Sequence, residues 1–293
     1  MDNYIFNNVN ENCYHFKTIK NKNGLYDSFV DMTYVLIMEN SEREKHVYDQ
    51  LEKFQPTKTV KVQYNKGYKK CKKQLCDNKA NWDLFDAHYN IILDAYRNNY
   101  NNILILEDDF VINEKLIFDR DKVKDIEKFI NKVDVDVYLL GTISPIPTLG
   151  YKKHGQCNGL FNISCHGTHG YIMNSMGIEK FLDYYNTMDC DEAGKLSNNG
   201  HIDEFYNKAS INLYLNKDPL IVQPLEMTEN RKENWQSNKL HEYISDLHID
   251  VFDLDNKDDN KIVKSYENRS LVMNILKYLI IAIVIYCIYK KFK

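Results

Sequence analysis

Two spacings of apolar residues alternate along the chain, and each switch marks an element. Thr33 to Met38, TYVLIM, is a short apolar run of strand formers. The next stretch, SEREKHVYDQLEKF, places Ser41 three residues before Glu44, the form of a capping box that opens a helix. Thr59 to Tyr64 alternates like a strand. From Trp82 to Asn98, Leu84, Phe85, His88, Ile91, Ile92 and Ala95 recur at a helical period. NILILEDDF reads as a buried strand ending in acids, and Val135 to Thr142 as another strand. Ser175 to Asn186 reads as a helix, and INLYL and PLIVQ as late strands. Strands that alternate with helices predict an α/β sheet.

The C-terminus carries a different pattern. Leu271 to Tyr289 is almost uniformly apolar and ends in KKFK. Nineteen helical residues would span roughly 28 Å, close to the bilayer core. Asn274 and Lys277 interrupt it, but Lys277 lies near one end where its ammonium can snorkel. Tyr278, Tyr286 and Tyr289 suit the interface. A single-pass membrane helix is expected, with an amphipathic or core-packed helix as the alternative. Lysine and arginine flank both ends, so charge gives no orientation. The polar stretch before it, residues 253–270, reads as a linker. The expected organisation is an N-terminal extension over 1–30, a catalytic domain over 31–252, that linker, and an anchor over 271–289.

Composition narrows the class. The chain has 293 residues, 43% of them hydrophobic, and a formal net charge of -4. A core is affordable, and a nucleic-acid partner is not expected. A basic run, NKGYKKCKK, ends at Lys73 and reads as a solvated loop or as an edge facing phosphate or acceptor. The seven cysteines lack the paired clusters of structural zinc, and free thiols are the default expectation.

The chemistry concentrates in Glu107-Asp108-Asp109. In open α/β sheets ligands bind beyond the carboxyl ends of the strands. Three acids at such an end repel one another, and a hard divalent cation is their natural partner. Strand alternation, if it persists, places Glu107 and Asp109 on one face and Asp108 on the other. The triplet alone specifies a cation and leaves the reaction open between sugar transfer and phosphate chemistry.

Five blocks in order resemble glycosyltransferase family 25, the family of lipooligosaccharide glycosyltransferases and collagen galactosyltransferases. They are TYVLIMENSEREKH, the segment NWDLFDAHYNIILDAYRNNYNNILILEDDF, GTHGYIMNSMGIEKFL, HIDEFY and PLIVQ. The asparagine- and lysine-rich style resembles members from large DNA viruses or protists, which would place the anchor in a host endomembrane or a virion membrane. The resemblance implies a GT-A-like, open twisted, mostly parallel sheet flanked by helices. It also implies an inverting transfer from a nucleoside-diphosphate sugar, UDP-linked, to a glycan or protein hydroxyl, with Mn²⁺ (or Mg²⁺). The family's G-C-A-x-S-H signature is missing, although His88 remains.

By that resemblance Asn40, Arg43, Thr168 and His169 contact the donor, Asp109 and Glu107 hold the metal, and Glu107 also positions the sugar. Asp203 and Glu204 are the candidates for general base, because inverting transfer needs a carboxylate opposite the leaving diphosphate, on a separate segment from the metal ligands, and Asp203 is the one that matches the family position. Each has a plain structural alternative: a cap, a surface arginine, a core histidine, or an acid at a helix start. Two other functions compete: a glycan-binding or attachment protein that has lost catalysis on the same fold, and a metal-dependent phosphoryl-transfer enzyme. No G-x-x-x-x-G-K-[ST] loop supports the latter.

Overall fold

The computed structural model describes residues 10–143, 154–157, 165–187, 202–203, 206, 211–226 and 239–292. Eight strands form the central sheet: β1 (Tyr14–Lys20), β2 (Met32–Met38), β3 (Thr59–Asn65), β4 (Asn102–Glu107), β6 (Val137–Leu139), β7 (His154–Gln156), β8 (Gly170–Asn174) and β9 (Leu213–Asn216), in the order β1-β3-β2-β4-β8-β6-β9-β7. Strands β3, β2, β4, β6 and β9 point one way, and β1, β8 and β7 run against them. The sheet is therefore mixed α/β with mostly parallel strand directions, and β8 is inserted antiparallel between β4 and β6.

Both faces of the sheet are covered at its centre, which is why β2 and β4 read as apolar runs, while β3, nearer the edge, alternates. Ile103 and Ile105 of β4 point to one cluster, Leu104 and Leu106 to another, and all four are fully buried. The first cluster is closed by α2 (Ala80–Arg97) and α5 (Ser175–Thr187), through Phe85, Ile91, Ile178 and Phe181. The second is closed by α1 (Glu44–Phe54), α3 (Glu114–Ile117) and α4 (Arg120–Lys132), through Val47, Leu51, Ile117 and Ile126. Helix α4 has its own start signal, since the Asp119 carboxylate accepts from the amides of Asp121 and Lys122. Helix α1 begins at Glu44, and Ser41 does not cap it as a capping box would; the Ser41 hydroxyl accepts from the Arg43 amide instead.

Two expectations about the ends are corrected. Residues 14–20 are not an extension: β1 pairs along its whole length with β3. Residues 253–270 are not an open linker either. Helix α6 (Lys239–Phe252) turns into α7 (Asp259–Phe292), and Ile262 and Tyr266 of α7 are buried with Val111, Val222, Leu225 and Ile249. This third cluster lies on a small two-stranded sheet, β5 (Val111–Ile112) with β10 (Ile221–Val222). Between Leu271 and Tyr289 most of its described side chains are exposed, and the helix is long and apolar enough to cross a membrane.

The cysteines also depart from expectation. Cys13 is bonded to Cys71 and Cys157 to Cys165, Cys76 is disulfide-bonded as well, and Cys287 is free. The loop after β3 is tied down further by Lys73. Its ammonium, buried rather than solvated, donates to Asp83 Oδ1 at 2.5 Å, Tyr14 Oη at 2.6 Å and Asn65 Oδ1 at 2.8 Å.

Candidate active site

The chain leaves β2, crosses through α1 to β3 on one side, and returns through α2 to β4 on the other. The carboxyl ends of β2 and β4 therefore flank the point where the winding reverses, the place where open α/β sheets bind ligands. A cavity of about 270 Å³ opens there. Its lining brings together Arg43 after β2, Glu107, Asp108 and Asp109 at the end of β4, Thr168 before β8, and Asp203 from a distant segment.

Strand β4 ends at Glu107, and Asp108 and Asp109 form a turn. The strand alternation that would have turned Asp108 away is broken there, and Asp108 lines the cavity with its neighbours. The Arg43 guanidinium meets Asp108 Oδ1 at 3.0 Å, Asp109 Oδ2 at 3.6 Å and Glu226 Oε2 at 3.1 Å. Burial alone would pull the arginine down, but Asp108 and Asp109 outweigh it and hold Arg43 above its ordinary value.

Arg43 does not neutralise the whole cluster. Burial, with repulsion from Glu107 and Asp108, holds the Asp109 carboxyl well above the usual carboxylate range. Asp108 is also raised, chiefly by burial. Asp109 Oδ1 is buried with no hydrogen-bond partner, and Asp109 Oδ2 has a long 3.4 Å contact from the Gln223 amide beside the Arg43 guanidinium at 3.6 Å. A carboxylate in that state is an unmet acceptor. The oxygen-only donor set suits a hard divalent cation that completes its shell with substrate phosphates and water. Among the described residues no group of three or more His, Cys, Asp or Glu side chains is arranged to hold a metal ion by itself, so a cation here would draw the rest of its ligands from substrate and water.

Glu107 is held differently. Its Oε1 accepts from the Thr168 hydroxyl and lies 3.2 Å from His88 Nε2. His88 is completely buried, and its Nδ1 lies 2.8 Å from the Tyr171 hydroxyl. Sequence reading kept His88 only as a family remnant; the structure makes it the support of Glu107. Gln223 and Glu226, which follow β10, were missed. Gln223 closes the PLIVQ block but was given no role there, and nothing marks Glu226 until the fold brings the two beside Asp109 and Arg43.

Asp203 reaches the cavity with its Oδ2 3.5 Å from His166 Nδ1. Two expected donor contacts sit elsewhere. Asn40 is an exposed turn residue with φ 62°, a left-handed conformation asparagine tolerates, and it is outside the lining. His169 is fully buried behind the site; its Nε2 donates to Ile221 O at 3.1 Å, and burial lowers its pKa. Gly141 makes that approach possible, since a Cβ there would meet Ile221 O at 1.9 Å. His248 lies on α6 against Phe252, outside the lining, and burial followed by the Arg269 charge pushes it down to about 4. Trp82 packs edge-on against Phe85 in the core. Glu204, Trp235 and the side chain of His241 lie outside the described residues.

No protein-family model matches the chain, and no curated protein matches it in sequence, so the family-25 resemblance rests on the ordered motifs. Among solved structures it is similar to a glycosyltransferase involved in the glycosylation of the major capsid of PBCV-1, at 10% identity and a TM-score of 0.39, covering 74% of this chain and 98% of that one. It is also similar to a protein from STIV, at 14% identity and a TM-score of 0.34, covering 68% and 86%. At these values neither transfers a residue role.

Proposed function

We propose that the protein is an inverting glycosyltransferase that moves a sugar from a UDP-linked donor to a hydroxyl of a glycan or protein acceptor. The observation that supports this reading most is the meeting, in one cavity at the switch point, of a strand-end acid cluster and a carboxylate from a separate segment, Asp203. Phosphate chemistry would use the acids; a base set apart from them is what inverting displacement requires. The ordered motif blocks point the same way.

Asp109, with Asp108 and Glu107 beside it, would hold Mn²⁺ or Mg²⁺, whose chemistry when bound is to neutralise charge on the leaving diphosphate. Arg43 offers a second, fixed positive group to the same phosphates. Glu107, braced by Thr168 and His88, would fix the sugar. The acceptor hydroxyl gives its proton to Asp203 as its oxygen bonds to the anomeric carbon, and the bond from that carbon to the diphosphate oxygen breaks. The exposed part of α7 would anchor the enzyme in a membrane.

The test is turnover of a panel of nucleotide sugars by the full chain in detergent, with and without Mn²⁺. At least one UDP-sugar should be consumed, and Asp109→Ala should abolish the reaction. Asp203→Asn should cut turnover by about 10²–10⁴-fold while donor binding persists. Folded protein that turns over no donor would sink the proposal, and loss of donor binding in Asp203→Asn would remove Asp203 as the base.

A further inference from the structure

The C-terminal helix was expected to be a tether, but its first three turns touch the site through two chains of contacts. In the first, the Tyr266 hydroxyl donates to Gln223 O at 3.0 Å, and the Gln223 amide reaches Asp109 Oδ2 at 3.4 Å. In the second, Arg269 donates from Nη1 to Ile143 O at 2.7 Å and from Nη2 to Thr142 O at 2.8 Å. The Thr142 hydroxyl and the Ile143 amide both donate to His166 O, at 2.7 and 3.0 Å, and His166 Nδ1 lies 3.5 Å from Asp203 Oδ2. Ile143 and Gln223 line the cavity themselves.

Arg269 is an expensive residue to place here. It is 2% exposed and, among the described residues, makes no ion pair with a carboxylate. A buried cation is tolerated only when its donors are used and its charge is offset. Two backbone carbonyls and the face of Tyr266, 4.3 Å from the guanidinium carbon, supply that. An arginine whose bonds all go to a loop wall fixes that wall.

We infer that Tyr266 and Arg269 are positioning residues, one for the acidic, donor-binding side of the cavity and the other for the Asp203 side, so that the base of the membrane helix is a wall of the site. The inference rests on the glycosyltransferase reading for its kinetic consequences, and on geometry alone for its structural ones.

Both consequences are read on the full chain in detergent. Tyr266→Phe keeps the ring beneath Arg269 and removes only the hydroxyl; Arg269→Lys keeps the charge but cannot bridge two carbonyls with a planar fork. Tyr266→Phe should raise the donor KM about 5–10-fold with kcat within about twofold, the scale of one hydrogen bond. Arg269→Lys should lower kcat about tenfold with the donor KM little changed. Amide hydrogen exchange should quicken around 221–225 in the first variant, and around 140–143 and 165–168 in the second, while β2 and β4 stay protected. If the wild type is active and both variants change the same parameter equally, or neither changes, the inference fails. If the wild type turns over no donor, the glycosyltransferase reading fails. The exchange pattern then decides the inference alone: unchanged exchange at both segments overturns it.

Discussion

Asp109 is buried, adjoins two other carboxylates and lacks a donor for one oxygen, so it is a local cost to folding. Its raised pKa fixes the sign. The unfolded carboxyl ionises first as pH rises, so this group's contribution is fully present below the ordinary carboxylate pKa. It is lost as pH climbs through the raised, folded value. Asp109→Asn removes that loss. At neutral pH it should stabilise the cation-free protein by about 1 kcal/mol, or roughly 2–4 °C in Tm, and flatten the pH dependence. The same variant should lose Mn²⁺-dependent donor binding. A lower Tm in calorimetry would show that Asp109 is satisfied by contacts other than those described. The triplet was legible because three acids at the end of an apolar run are a local signal. Their partners were not. Arg43 lies 65 positions from Asp108 and 183 from Glu226, and Asp108 would face away only if β4 ran on past Glu107, which it does not.

At the scale of elements, the long apolar strands and α2 were legible from periodicity, and the short β5 was not. β5 has two residues, too few for any period, whereas β10, equally short, lies inside the PLIVQ run and was read as a strand. Helix α4 was overlooked although Val123 and Ile126 keep a helical spacing behind the Asp119 cap. The largest misreading was the base of α7, whose buried residues Ile262, Ser265, Tyr266 and Arg269 keep a helical spacing, with two polar members that hide the apolar stripe. Ile262→Ala should therefore cost about 2–4 kcal/mol in denaturant unfolding, as for other deep core truncations. A cost below about 0.5 kcal/mol, the level of a surface substitution, would restore the open linker. A chain ending at Asp258 should be unstable for the same reason, because it leaves Val222 and Leu225 uncovered.

At the scale of the molecule, one helix has two parts. Residues 259–270 are docked on the body, and from Leu271 the helix is exposed and apolar. The full chain should therefore co-sediment with membranes through a high-salt wash, whereas a chain ending at Ser270 should be released with donor turnover retained. Salt release of the full chain would leave the exposed apolar surface without a bilayer to cover it. In the proposed function the acids at the switch point would bind a donor diphosphate with a cation. Calorimetric titration of UDP into the full chain tests this most directly, in Mn²⁺ and in EDTA, for the wild type and Asp109→Asn. One UDP should bind per chain in Mn²⁺, and none in EDTA or in the variant. Binding of equal strength in all of these conditions, or none to the folded wild type, would contradict it.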